Sequence, residues 1–166
     1  MEGWFFLVAA LLVWSGIRKL ADPDPTSGAL RAAALPSSRL AVFGLGVVEI
    51  VVGATALLAT NPLAAWALGL VYAGFAGFIA MAMSRRLPIA SCGCFGKADT
   101  PPTWIHLAIN LAAVGGAMAV AAGRGPSLPS VLAQQPTAGI AYLGFLGIGV
   151  YCLYLLLSEL PRLITR

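Results

Sequence analysis

Five apolar runs, at residues 3–20, 39–60, 62–84, 103–122 and 138–160, each match the roughly 20 helical residues that cross the hydrocarbon core of a bilayer. In hydrocarbon every backbone N–H and C=O needs a partner within the protein, so such runs fold as helices. A chain of 166 residues that spends most of its length this way leaves no room for a separate soluble domain. The expected class is all-α: a polytopic membrane protein with a four-helix transmembrane bundle and a fifth transmembrane helix. Only 10% of its residues are charged and its mean hydropathy is +0.91, whereas a soluble domain carries about 25% charged residues.

The first run is read as a retained helix rather than a secretory signal. It opens with Glu2 and places its cations, Arg18 and Lys19, after the apolar stretch, the reverse of a signal peptide. Asp22-Pro23-Asp24-Pro25 stops it, and residues 29–35 (ALRAAAL) suit a short amphipathic turn along the membrane surface. Asn61-Pro62 makes a tight turn between the second and third runs. Residues 124–137 form a polar linker rich in Pro, Ser and Gln, so the chain divides into a bundle at 1–123 and a helix with a basic tail at 138–166.

The net charge of +4 does not indicate nucleic acid, because the ten Lys and Arg residues are scattered between apolar runs and build no basic face. They act as topology signals instead. With five spans, Arg18, Lys19, Arg31, Arg39, Arg85, Arg86, Lys97, Arg162 and Arg166 fall on one side and only Arg124 on the other. The positive-inside rule then sets the N-terminus outside and the connection at 84–102 in the cytoplasm.

That connection carries Cys92-Gly93-Cys94. Two residues apart on an extended chain, the Cα atoms would stand about 6.6–7.2 Å from each other, at the usual disulfide limit of about 6.8 Å. A bridge across Gly93 forms only with strain, and strained, exposed disulfides are the more oxidising and labile ones. Thiol–disulfide exchange fits this better than stapling. Soft-metal binding and a structural or inert pair are the alternatives, although a structural zinc needs four ligands and only Cys152 and His106 remain as obvious further donors. Lys97, with Arg85 and Arg86, supplies the local positive charge that lowers a thiol pKa.

Glu49 stands in the middle of the second run, where a carboxylate is costly and normally faces the bundle interior. Gly46 and Gly53 share its helical face and permit close approach of a neighbour. His106 and Asn110, at i and i+4, share a face of the fourth run that continues through Ala113 and Ala117. These groups, with Lys19 or Arg18 as the basic partner, would make a polar pocket below the cysteine pair. Arg18 and Lys19 also suit snorkelling anchors at a helix end. Cys152, inside the fifth run, is read as a small hydrophobe.

With Gly16-Ile17-Arg18-Lys19-Leu20, Asp22-Pro23, Val48-Glu49 and Cys92-Gly93-Cys94-Phe95-Gly96 in this order, the chain resembles the MauE family of redox-associated membrane proteins, within the broader DoxX-like group. The resemblance covers residues 3–123. It implies a four-helix DoxX-like bundle working beside thioredoxin-like proteins, helping to form or shuffle disulfides in a secreted dehydrogenase subunit. It also implies that Cys92 and Cys94 take the redox positions and Lys19, Glu49 and Asn110 the polar positions of the bundle. Extracytoplasmic disulfide chemistry would ask for the cysteines outside, whereas the charge asymmetry sets them inside, and that asymmetry is large and persists without Arg18 and Lys19.

The resulting expectation is an integral-membrane thiol–disulfide relay, an oxidoreductase exchanging electrons with a thioredoxin-like partner. A quinone docked in the bundle would find Glu49 placed to manage its proton; no resident metal is expected. Two other readings stay open: soft-metal transport through the cysteine pair, and a non-catalytic subunit of a larger membrane complex.

Overall fold

The computed structural model describes residues 2–59, 61–89, 101–123, 128–134 and 136–158. Every element among them is helical: α1 (Glu2–Ala21), α2 (Asp24–Ala32), α3 (Arg39–Leu58), α4 (Pro62–Ser84), α5 (Trp104–Gly123), α6 (Leu128–Gln134) and α7 (Pro136–Ser158). Five of these, α1, α3, α4, α5 and α7, are long and apolar enough to cross a membrane. The protein is an all-α integral membrane protein.

Helix α1 is the centre of the bundle. Half of its span is buried, against 6% for the span in α7. It packs antiparallel on α3 at backbone distance, and glycines make this possible: a Cβ added to Gly16 would stand 2.5 Å from the carbonyl oxygen of Gly46, and one on Gly53 2.7 Å from that of Ala9. Small residues at such crossings replace the hydrophobic driving force that lipid removes. The buried face of α3 is Val42, Gly46, Glu49, Gly53 and Ala56, so both glycines flanking Glu49 press on α1 with it.

Helices α4 and α5 form the second antiparallel pair. Polar clasps fasten them to α1: the Tyr72 hydroxyl donates to the Val8 carbonyl at 2.7 Å, and Trp4 Nε1–H donates to the Ala112 carbonyl at 3.1 Å. The apolar core between them includes Phe5, Phe6, Leu12, Leu68, Ala113 and Ala117.

Two short helices depart from the sequence expectations. Helix α2 begins at Asp24, earlier than the surface turn expected at 29–35, because Pro25 fits the first helical turn. Residues 128–134 of the expected linker are helical as α6, with Pro129 likewise inside the first turn. Both α2 and α4 end in a Schellman motif whose left-handed residue is not glycine. Ala34 has φ 57° and Arg86 φ 49°, with Leu35 N–H bonded to Leu30 O at 2.9 Å and Leu87 N–H to Ala82 O at 3.0 Å.

The second turn delivers the chain to a satellite core in which Ile89 packs with Ala29 of α2 and Ala82 of α4. Helix α2 thus braces the chain just before residues 90–100. Cys92, Cys94 and Lys97 lie outside the described residues.

Candidate functional site

Lys19 and Glu49 meet where α1 crosses α3. Glu49 is ten residues into α3, roughly 15 Å along the axis, near the middle of a hydrocarbon core of about 30 Å. Lys19 Nζ lies 2.9 Å from each carboxylate oxygen, donating a hydrogen bond to Oε2 and pairing with Oε1. Lys19 is 2% exposed and Glu49 0%. A second Lys19 N–H donates to Ser15 Oγ at 2.7 Å, one turn back on α1, and the Ser15 hydroxyl turns to the carboxylate. The ammonium also stands 5.4 Å from the centroid of the Phe75 ring on α4, on its cation-binding face. One cation therefore ties three helices together at a depth where either charge alone would be costly.

Arg18 does not share this pair. It is half-buried, and its Nε has no hydrogen-bond partner among the described residues. Adjacent residues on a helix point about 100° apart, so only one of the two cations can face α3.

A second polar group sits on α5. His106 is 1% exposed and Asn110 6%. His106 occupies the third helical position, from which Glu or Gln ordinarily reaches back to close a capping box; here the imidazole does so. Its Nδ1 accepts from the Thr103 backbone N–H at 3.3 Å and lies 2.9 Å from Thr103 Oγ1. The other ring nitrogen reaches the backbone carbonyl of Leu157 on α7. Two donors on one side and a carbonyl on the other fix the tautomer: Nε2 carries the proton and Nδ1 accepts from the Thr103 hydroxyl. Asn110 Nδ2 donates to the His106 carbonyl at 2.6 Å.

The single polar pocket expected from the sequence is thus two groups. His106 and Asn110 make no described hydrogen bond to Glu49, and between the groups lies a cavity of 20 Å³ whose wall includes Ser15, Tyr72, His106, Asn110 and Leu157. That volume suffices for one water. Ser15, Thr103 and Phe75 were not singled out in the sequence. The first two carried a signal, since Ser15 is four residues before Lys19 and Thr103 three before His106.

A larger cavity of 330 Å³ opens on the other side of Lys19, among α2, α3 and α4. Its wall is apolar apart from Lys19 and Thr26. Cys152 is a free, exposed thiol on α7 and lines neither cavity. No cluster of three or more His, Cys, Asp or Glu able to hold a metal occurs among the described residues.

A family model described as methylamine utilisation protein MauE matches residues 3–123, from the start of α1 to the last residue of α5. No curated protein and no solved structure matches the chain.

Proposed function

The chain belongs to the MauE family of integral membrane proteins, and from that premise we propose that it is a thiol–disulfide relay built on Cys92 and Cys94. The supporting observation is the anchoring of the chain on both sides of the cysteine segment. Ile89 is buried against α2 and α4, and Thr103 is bonded to His106, so both flanks are held, one just beyond α4 and the other at the start of α5. A reactive pair borne on a rigid frame exchanges with a partner without ordering the frame first.

The electrons balance as follows. A dithiol on a thioredoxin-like partner reduces the Cys92–Cys94 disulfide by exchange through a mixed disulfide, leaving the partner oxidised and this pair as two thiols. The pair then gives two electrons and two protons to a quinone, which becomes a quinol while the S–S bond re-forms. The supporting groups are Lys97, three residues after Cys94 in the sequence, and Lys19 and Glu49, within the bundle. The excess of Lys and Arg on one side sets the cysteines in the cytoplasm and the N-terminus outside. The five matched helices form the relay module and the segment from residue 124 onward an addition to it.

The test is trapping with a membrane-impermeant maleimide in intact cells and inverted vesicles, before and after reduction. The relay requires labelling of Cys92 and Cys94 only after reduction, in inverted vesicles, and loss of thiol turnover in Cys92→Ser. Full turnover in that variant would end this reading.

A second reading, a non-catalytic subunit of a membrane complex, draws on α7, whose span is only 6% buried and whose Gly144 and Gly147 face open space. It requires a stably co-purifying partner and indifference to both cysteine substitutions.

A further inference from the structure

The cavity of 330 Å³ is at the lower end of the roughly 300–1,000 Å³ typical of small-molecule sites. Leu35 and Leu70, on its wall, are 41% and 71% exposed, so in a membrane its mouth meets lipid. Phe75 and Phe78, one turn apart on α4, contribute aromatic wall, and Lys19 is the one charged residue among those that line it. An occupant must therefore be lipid-soluble, flat enough to lie against aromatic rings, and able to accept a hydrogen bond.

The charge state of Lys19 narrows the class. Its ammonium has three N–H donors and makes two hydrogen bonds, to Ser15 Oγ and Glu49 Oε2. Glu49 Oε1 also lies 2.9 Å from Nζ but makes no hydrogen bond among the described residues, so the third donor is open to a ligand. The carboxylate of Glu49 already neutralises the cation, so a phosphate or carboxylate entering the cavity would bring an unbalanced charge into a desolvated site. A neutral carbonyl brings none. An acyl chain would satisfy the apolar walls and leave the donor without a partner.

We infer that this cavity seats the head of a quinone, with one ring carbonyl on Lys19 Nζ and the tail leaving past Leu70 into lipid. Its role as electron acceptor rests on the relay reading, whereas its binding does not. In the balanced exchange above, this site is where the quinone takes up two electrons and two protons, and the Lys19–Glu49 pair is the group beside the reduced oxygen that can carry a proton to it.

Gly74 provides a test that spares the pair. It lines the cavity, and a Cβ added there meets no atom within 4 Å, so the side chain of Gly74→Leu starts into open space and narrows the site. The full chain in nanodiscs is irradiated with a photoreactive short-tail quinone, and labelled peptides are mapped. Labelling within residues 30–35 or 70–78, competed by unlabelled quinone and not by phosphatidylglycerol, and weakened about tenfold or more in Gly74→Leu, is the expected result; tenfold corresponds to about 1.4 kcal/mol. Labelling elsewhere, competition by phosphatidylglycerol alone, or undiminished labelling in a Gly74→Leu protein that melts like the parent overturns the site. The same labelling in a Cys92→Ser, Cys94→Ser protein separates the two ideas: saturable labelling without thiol turnover in the parent keeps the site and removes the relay. Thiol turnover without saturable labelling does the reverse.

Discussion

Lys19 and Glu49 are the only oppositely charged side chains described in contact, and both are closed off from solvent at the α1–α3 crossing. Removing one partner from a buried pair leaves an uncompensated charge and costs about 3–5 kcal/mol, whereas replacing both with apolar groups of similar size is often neutral. Lys19→Met and Glu49→Leu are each expected to lower unfolding stability by that order, and the double variant to recover most of the loss. Denaturation in mixed micelles measures the coupling; strictly additive losses would mean that the pair does not act as a unit.

The glycines divide sharply by what surrounds them. Gly16→Ala would press its methyl on the Gly46 carbonyl, while Gly44→Ala and Gly77→Ala meet nothing within 4 Å. Overpacking typically costs about 1–3 kcal/mol. Thermal melting should therefore fall for Gly16→Ala and hold or rise for the other two, since alanine is the better helix former.

Ala34 holds a left-handed backbone without the freedom of glycine. Strain of this kind costs on the order of 1 kcal/mol or more. Ala34→Gly should raise the melting temperature, in contrast to most substitutions to glycine, and a lowered one would refute the cap assignment.

His106 links α5 to α7 through the Leu157 carbonyl. His106→Leu keeps the apolar bulk and removes the donor, so the last turn of α7 should exchange its amide hydrogens faster while the α1–α3 crossing keeps its protection. Unchanged exchange in α7 would show that packing alone holds that helix.

Cys152 is exposed on α7 and lines neither cavity. Cys152→Ala should leave thiol turnover at the parent value; a large loss would bring α7 into the chemistry.

Much of the bundle was legible in the sequence because spans obey a length rule and a buried carboxylate must face inward. Glu49 between Gly46 and Gly53 is the clearest case: three residues on one face, all pressed on α1. Position along the helix alone left Arg18 and Lys19 as alternatives, since the choice depends on how α1 is rotated against α3, and it was the family resemblance that pointed to Lys19. The division of the polar residues into two groups was hidden for a similar reason. His106 and Asn110 share a face, but the partner of that face is set by the packing of α1, α4 and α7 around it. Helix α6 was missed because seven residues with a proline among them carry too little periodicity to stand out from a linker. Cys92, Cys94 and Lys97 lie outside the described residues, so their placement is carried by the sequence alone.

The bond from His106 to Leu157 also bears on biogenesis. The helix carrying the imidazole is synthesised well before the helix carrying its acceptor, so α5 enters the bilayer with an N–H that hydrocarbon cannot satisfy. Until α7 arrives, that donor must be held at the translocon or by a transient companion. A nascent chain stalled just after Gly123 would have completed everything the family model recognises and still be an unfinished membrane domain.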